Sequence, residues 1–148
     1  MKKIEIIPVS EEEKLSWPKD IVVNLEEPFV DERGKIQPLV DMDMKSAVLI
    51  SSKQGSTRAN HYHKTDWHFC YVLSGEIEYH YRNHGDKGKG SKKIIKKGEI
   101  FFTPPMEDHA TVFIEDCDLL AMSRNPRDQE AYEEDVRRVI LIDPDSIN

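Results

Sequence analysis

The sequence has no apolar run that approaches the roughly 20 residues a membrane helix needs. It has two cysteines, Cys70 and Cys117, without the CxxC spacing of a zinc-binding pair, and nothing indicates an oxidising compartment. Basic residues are outnumbered: 21 Lys and Arg face 28 Asp and Glu, giving a net charge of −7. This charge argues against nucleic acid, which needs a clustered basic face, and against anionic membrane surfaces as partners.

The N-terminus also lacks the pattern of a secretion signal. Residues Met1–Pro8 contain two lysines and a short apolar stretch, and they run into three glutamates with no small-residue cleavage site. We therefore expect a strand over Ile4–Val9 rather than a signal peptide, and a cytoplasmic protein with reduced thiols. With 148 residues and no internal repeat, the chain is expected to form one domain over 1–148.

What the sequence does contain is a series of short runs with strand-like composition, separated by turn residues. Turns are expected at Asp31–Gly34 and Ser74–Gly75. Short strands at regular intervals indicate an antiparallel sandwich or barrel, so we predict an all-β fold. The predicted strands are Ile4–Val9, Ile21–Leu25, Lys35–Val40, Ala47–Ser52, His68–Leu73, Glu76–Arg82, Lys92–Lys96, Ile100–Thr103, Ala110–Ile114 and Asp118–Ser123.

The remaining segments differ in composition. His84–Lys93 is rich in glycine and lysine and is expected to be an exposed hairpin loop. Asp128–Arg138 is charged, with an acidic start and a basic end, and predicts a short helix capped by Asp128 or Asn125. Val139–Ile142 is apolar and is expected to form a final strand.

Most of the histidines fall in two short segments. His61 and His63 are two residues apart, so on a strand both side chains project from the same face. After the polar turn 64–66, His68 opens the next strand and can face back across the hairpin, and His109 follows a proline-containing turn. Imidazole ligates Zn, Mn, Fe, Ni and Cu to differing degrees. The pattern therefore predicts one divalent transition metal, of unspecified identity, on His61, His63, His68 and His109.

Two other histidines are weaker candidates for this site. His80 lies between two tyrosines in a predicted strand, where it can line a barrel. His84 stands at the edge of the glycine-rich loop and is expected to be exposed.

The spacing of the first segment resembles the cupin family. The first cupin motif, G-x5-H-x-H-x4-E-x6-G, is met at every spacing from Gly55 to Gly75, with His68 at the glutamate position. The second motif, G-x5-P-x-G-x2-H-x3-N, corresponds to residues 98–113, where Met106 replaces the glycine and Phe113 the asparagine. The resemblance implies a jelly-roll β-barrel with a metal in its lumen. The usual ligand positions fall on His61, His63 and His109, and His68 takes that of the glutamate.

The string Arg58-Ala59-Asn60-His61-Tyr62-His63-Lys64 also resembles sugar-modifying cupins. Nucleotide-sugar ketoisomerases carry R-G-x-H-x-H-K here, and cupin domains of capsule-sugar enzymes carry R-G-N-H-Y-H, so Ala59 replaces a glycine. In the ketoisomerases the paired histidines act as acid–base groups without need of a metal. The resemblance implies a sugar or nucleotide-sugar isomerase or epimerase of carbohydrate biosynthesis.

Arg58 is the predicted substrate-binding residue, because a guanidinium can bind a phosphate or sugar oxygen. The alternative is a salt bridge to one of the many acidic residues. Three positions before His61, an unbroken strand turns Arg58 to the opposite face, so Arg58 reaches the lumen only if the chain bends between Gly55 and Asn60.

Other function classes remain open at this point. A metal-dependent cupin oxygenase acting on a small organic substrate is one, and a non-catalytic ligand-binding or sensing barrel is another. The additional histidine at 68 favours a metal over metal-free proton transfer, whereas the Arg58–Lys64 string favours a sugar. No residue is assigned as the catalytic acid or base. Open barrel edges often pair, so we expect a homodimer.

Overall fold

The computed structural model describes residues 5–143. Its elements are α1 (Glu11–Lys14), β1 (Phe29–Asp31), β2 (Gly34–Ile36), β3 (Ser46–Ser52), β4 (Thr57–His63), β5 (His68–Ser74), β6 (Glu76–Asn83), β7 (Ser91–Lys96), β8 (Ile100–Thr103), β9 (Glu107–Phe113), β10 (Cys117–Ser123), α2 (Gln129–Asp135) and β11 (Val136–Arg138). Neither helix found between residues 5 and 143 has the length and apolar composition needed to cross a bilayer.

Two antiparallel sheets form the barrel. One has the strand order β3-β10-β5-β8 and the other β11-β4-β9-β6-β7, while β1 and β2 form a separate hairpin. Facing sheets of this kind make a jelly roll, which confirms the predicted all-β fold with a short C-terminal helical segment. The predicted turns at Asp31–Gly34 and Ser74–Gly75 are also present, and a Cβ added at Gly75 would overlap the carbonyl oxygen of Asp116.

The four-stranded sheet is apolar on both faces. On β5, Cys70 and Val72 belong to the cluster between the sheets, and Phe69 belongs to a second cluster on the outer face, as strand alternation requires. That outer cluster is covered by apolar side chains from residues 17–44. The long N-terminal segment therefore covers the outer face of this sheet. The site lies on the opposite face, between the two sheets.

The strands predicted near the N-terminus are mostly wrong. In Ile4–Val9, residue 4 lies outside the described residues and 5–9 are irregular, because the carbonyls of Ile7 and Pro8 accept bonds from the Arg124 side chain. Ile21–Leu25 runs beside β8 but forms only the single bridge between Val22 and Phe101. In Lys35–Val40 only residues 35 and 36 are strand, and Pro38 lacks the N–H that a longer ladder needs.

The C-terminal predictions need two corrections. The helix is shorter than Asp128–Arg138: Asp128 caps it as expected, but it ends at Asp135, and the next three residues pair with β4. The predicted strand Val139–Ile142 is absent, because the amide groups of residues 141 and 142 donate instead to the side-chain oxygen of Asn60. Both changes dock the C-terminal segment against β4.

Strand β9 begins earlier than predicted. The expected strand started at Ala110, with His109 just before it, but β9 starts at Glu107. His109 therefore lies within a fully hydrogen-bonded strand, where it pairs with His61 of β4 and Tyr81 of β6.

Candidate metal centre and lumen

The four predicted histidines lie on three strands and line one cavity of about 240 Å³ between the sheets. The ring centroids are 4.7 Å apart between His61 and His63, between His61 and His109, and between His63 and His68. The centroids of His63 and His109 are 5.9 Å apart. The structure thus brings the four predicted histidines together.

In the rings of His63 and His109, the hydrogen-bond partner of Nδ1 determines the tautomer of the neutral imidazole. The Nδ1 atom of His63 is 3.3 Å from Oδ2 of Asp135, and Nδ1 of His109 is 2.9 Å from the carbonyl oxygen of Glu107. A carboxylate and a carbonyl only accept hydrogen bonds, so both Nδ1 atoms carry the hydrogen and both Nε2 atoms keep a lone pair. Metal-binding histidines are held in the same way, with the other ring nitrogen donating to a carboxylate or a backbone carbonyl.

His68 can adopt either tautomer. Its Nε2 is 3.2 Å from Nε2 of His63, and its Nδ1 is 2.7 Å from the hydroxyl oxygen of Ser123. Since the hydroxyl can accept or donate, the His68 hydrogen can lie between the two imidazoles or on the Ser123 side. In the second arrangement, both Nε2 lone pairs face the same space. Two nitrogens bound to one tetrahedral zinc are about 3.3 Å apart, so this spacing fits a pair of ligands.

The donor atoms form two overlapping groups. Ligand atoms of His61, His63 and His109 all lie within 4.8 Å of one another, and the same holds for His63, Asp66 and His68. His63 belongs to both groups and links them. A set dominated by imidazole nitrogen suits Zn, Fe, Ni or Cu better than Mg or Ca, which prefer oxygen ligands.

Burial favours the neutral, metal-binding form of three of the imidazoles, those of His61, His68 and His109. Loss of hydration, assisted by the neighbouring imidazoles, lowers the pKa of His61 to about 2 and the pKa of His109 to about 4. The same causes lower the pKa of His68 well below its ordinary value. A metal therefore does not have to displace protons from these three rings at neutral pH.

A sequence profile of the cupin domain family matches residues 48–123, just over half of the chain. This chain belongs to the cupin family. The match confirms the resemblance drawn from the two motifs, and it contains all four histidines of the site. A comparison with curated protein sequences found no match.

Several solved structures are similar to this cupin. A double mutant of the QdtA 3,4-ketoisomerase from Thermoanaerobacterium thermosaccharolyticum, in complex with TDP, is 22% identical over 76% of this chain and 82% of its own, with a TM-score of 0.61. A dTDP-4-dehydrorhamnose 3,5-epimerase from Sulfolobus tokodaii is 16% identical over 81% of this chain and 84% of its own, with a TM-score of 0.63. The capsular polysaccharide assembling protein CapF from Staphylococcus aureus is 21% identical over 78% of this chain but only 34% of its own, with a TM-score of 0.58. At these identities the similarity establishes the fold.

Two positions at which the resemblances expect glycine, one in the Arg58–Lys64 string and one in the second cupin motif, have left-handed backbone in this chain. Ala59 has φ 71° and Met106 has φ 62°. Glycine adopts this conformation without the steric cost that a Cβ imposes, so the family preference for glycine has a backbone cause here. The cupin keeps the conformation at both positions and bears the strain of a side chain.

The strain at Ala59 coincides with a β-bulge that turns Arg58 towards the lumen. The register with β9 shifts between Ala59 and His61, so Asn60 is an additional residue in β4. Arg58 pairs with Thr111, which shares the face of His109 on β9, and Arg58 lines the same cavity as the histidines. The required bend therefore exists, centred on residues 59 and 60 rather than on Gly55. Arg58 donates to the Ser52 hydroxyl and the Ser51 carbonyl, and not to a carboxylate.

Asp135 is a site residue that the sequence did not reveal. It is 3% exposed, and its carboxylate accepts from Nδ1 of His63, from the amide and hydroxyl of Thr65 and from the amide of Asp66. Burial alone would raise the pKa of Asp135, but these hydrogen bonds outweigh it and hold the pKa below its ordinary value. Asp135 lies outside the residues matched by the family profile, in a charged segment that indicated only a helix.

Tyr79, which lines the lumen, is paired with the buried Glu107 beside it. The Tyr79 hydroxyl donates to Oε1 of Glu107 at 2.7 Å and lies 2.7 Å from the hydroxyl of Thr103. Burial raises the pKa of Glu107 to about 7, and burial together with the adjacent Glu107 raises the pKa of Tyr79 well above its usual range. The pair can hold a proton beside the ring of His109, whose centroid is 6.2 Å from that of Tyr79.

The two weaker histidines do not join the four. His80 does not line the lumen and is paired with Glu78 at 2.6 Å. His84 is exposed, as expected; its Nδ1 is 2.9 Å from Oδ1 of Asp108, and its ring stacks on Tyr62 at a centroid distance of 3.8 Å. Both rings are therefore useful controls for substitutions at the site.

Proposed function

We propose that this cupin binds one divalent transition metal on His61, His63, His68 and His109. The observation that carries the proposal is the way in which neighbours hold the rings: three Nδ1 atoms have partners, which leaves Nε2 of the same rings for a ligand, and His63 is shared by the two groups of donor atoms. A set of unrelated buried histidines has no reason to share this arrangement. The identity of the metal is left to measurement.

We further propose that the protein is an isomerase or epimerase acting on a sugar or nucleotide-linked sugar in carbohydrate biosynthesis. The support is twofold: the Arg58–Lys64 string, and similarity to a ketoisomerase and an epimerase whose substrates or ligands are TDP-linked. Such reactions move a proton on a carbon beside a carbonyl, and a bound metal would polarise that carbonyl oxygen. The chain's own contribution is to orient the sugar in the lumen and to hold or release the proton.

The test uses TDP-4-keto-6-deoxyglucose, the ligand named for another QdtA structure. Isomerisation or epimerisation exchanges the proton beside the carbonyl with solvent, so NMR in D2O should show deuterium entering the sugar when metal-loaded enzyme is added. His109→Ala should abolish the exchange, while His84→Ala, outside the lumen, should leave it unchanged. Absence of exchange across a panel of TDP-linked and UDP-linked keto-sugars would contradict the sugar assignment.

A metal-dependent oxygenase is the second candidate, because much of the lumen wall is apolar. Ile50, Phe101, Phe113, Leu119 and Ala121 line it away from the histidines. A sugar offers hydroxyl groups that need partners, whereas a small, partly apolar organic acid would suit this wall. Oxygen consumption with a panel of keto-acids, measured on iron-loaded and nickel-loaded protein, distinguishes this candidate from the first. A non-catalytic sensing barrel would bind ligand and fail both assays.

We also propose that the protein works as a homodimer in the reducing cytoplasm. Both cysteines are free and buried, as they would be in a reducing compartment. The β1–β2 hairpin exposes Phe29, Val30 and Ile36 to 60% or more, and edge strand β3 exposes Leu49 to 73%. Light scattering on purified protein should give twice the monomer mass. The double replacement Phe29→Glu and Leu49→Glu should reduce the measured mass to that of one monomer. A monomeric wild type would contradict the dimer.

A further inference from the structure

The charge on the lumen wall differs from that of the chain as a whole. The protein has 28 acidic and 21 basic residues, yet the described residues that line the lumen include two arginines, Arg58 and Arg127, and no aspartate or glutamate. The lining therefore presents two guanidinium groups and no carboxylate, which suits a negatively charged ligand.

Arg127 is held without being neutralised. Its guanidinium carbon is 4.7 Å from the centroid of the Tyr132 ring, a stacking contact that uses the face of the guanidinium and leaves its N–H edges available. The adjacent carboxylate of Asp128 is engaged in capping α2, where it accepts from the amides of Glu130 and Ala131. Within residues 5–143, no carboxylate lies within ion-pair distance of Arg127.

Other arginines near this region have structural partners. Arg124 bonds to Glu13 and to the side chain of Asn125, and Arg82 bonds to Asp108 and to a carbonyl. Arg137 donates to the carbonyls at the end of α2. Arg127 alone among these lines the lumen. Its charge also contributes to the lowered pKa values of His61 and His68, which places it within electrostatic reach of both rings.

We propose that Arg127, positioned by Tyr132, forms with Arg58 an anion subsite that binds a phosphate or carboxylate oxygen of the ligand in the lumen. This inference rests on the proposed function, because it takes the lumen as the substrate site, and it adds that the substrate carries a negative charge. It adds a binding residue from a segment outside the family match, since Arg127 follows residue 123, where the match ends. A guanidinium suits both oxyanions because its planar edge can make two parallel hydrogen bonds.

The experiment is isothermal titration of metal-loaded protein with thymidine diphosphate, pyrophosphate and oxalate, with thymidine as the uncharged reference. Loss of one charge-assisted contact should make Arg127→Gln bind the anions about ten- to a hundredfold more weakly, with metal content unchanged. Tyr132→Leu should weaken binding in the same direction, while Tyr132→Phe, which keeps the ring, should not. The matched control is Arg138→Gln, because Arg138 also affects the pKa of His61 but does not line the lumen.

The outcomes separate this inference from the proposed function. Equal anion affinity in Arg127→Gln and wild type, or equal losses in Arg127→Gln and Arg138→Gln, would overturn the subsite, as would a wild type that binds none of the three anions. Arg127-dependent binding of oxalate but not of the diphosphates would support the subsite and assign it to carboxylates. If that protein also failed the deuterium-exchange assay, the sugar function would be lost and the anion subsite would stand.

Discussion

The replacement Asp135→Asn tests whether the C-terminal segment positions His63, a proposed metal ligand. Asparagine keeps the size of the side chain but replaces one carboxylate oxygen with an amide nitrogen. The two oxygens of Asp135 share four donors, from His63, Thr65 and Asp66. Whichever oxygen the amide replaces, one backbone N–H loses its acceptor and His63 loses a charged one.

These losses set the expected size of the effect. A buried amide without its acceptor costs about 1–3 kcal/mol, so the free energy of unfolding should fall by that amount. Removing the partner that orients a ligating histidine typically weakens metal binding about 10- to 100-fold, or about 1.4–2.7 kcal/mol. The loss of affinity should therefore be measurable in a protein that still folds.

The assay is competition for zinc against a coloured chelator, with urea denaturation of the same samples in metal-free form. Asp128→Asn is the matched control, since Asp128 lies on the same segment and caps α2, where asparagine caps about as well as aspartate. It should leave both the zinc affinity and the stability nearly unchanged. An Asp135→Asn protein that binds zinc as tightly as wild type would refute the positioning of His63 by Asp135.

Three further predictions follow from the site. In metal-free protein, the folded pKa of His109, about 4, lies below the unfolded value of 6.5, so the contribution of His109 to stability is constant above pH 6.5 and falls by about 3 kcal/mol down to pH 4. Because the raised pKa of Glu107 acts in the opposite direction, the measurement compares wild type with His109→Gln, whose urea midpoint should decline less between pH 6.5 and pH 4. Equal pH dependence in the two proteins would contradict the burial of a neutral ring. Ala59→Gly should stabilise the protein by about 0.5–1 kcal/mol by relieving the left-handed backbone, whereas Ala47→Gly, on the exposed edge strand, should destabilise it. His68→Glu should retain metal because it restores the usual cupin ligand, and His80→Ala should leave the metal content unchanged. Loss of metal from either variant would count against the ligand assignment.

The parts of the site that the sequence predicted depend on short-range periodicity. His61 and His63 share a face because they are two apart on a strand, and the spacing to His68 and His109 follows the cupin motifs. Such patterns can be recognised in the sequence without knowledge of the tertiary fold. The turn at Gly75 belongs to the same class, because it depends on one residue's φ and a close backbone contact.

The parts that could not be predicted depend on contacts distant in sequence. Asp135 and Arg127 reach the site only because β11 pairs with β4, and nothing in their local composition distinguishes them from a solvated helix face. The bulge at Asn60 brings Arg58 to the same face of β4 as His61, whereas simple strand alternation predicts the opposite face. The apolar composition of residues 21–25 predicted a strand, but these side chains pack against the two core clusters beside β8, and composition does not distinguish the two roles.

The central claim is that the four histidines share one metal. Anomalous scattering from crystals of zinc-loaded protein, collected on both sides of the zinc absorption edge, tests it most directly. The account predicts a single strong peak in the lumen, about 2.0–2.1 Å from the Nε2 atoms of His63 and His109, with His61 and His68 completing the ligand set. A lumen without an anomalous peak, or a peak bound elsewhere on the protein, would contradict the claim.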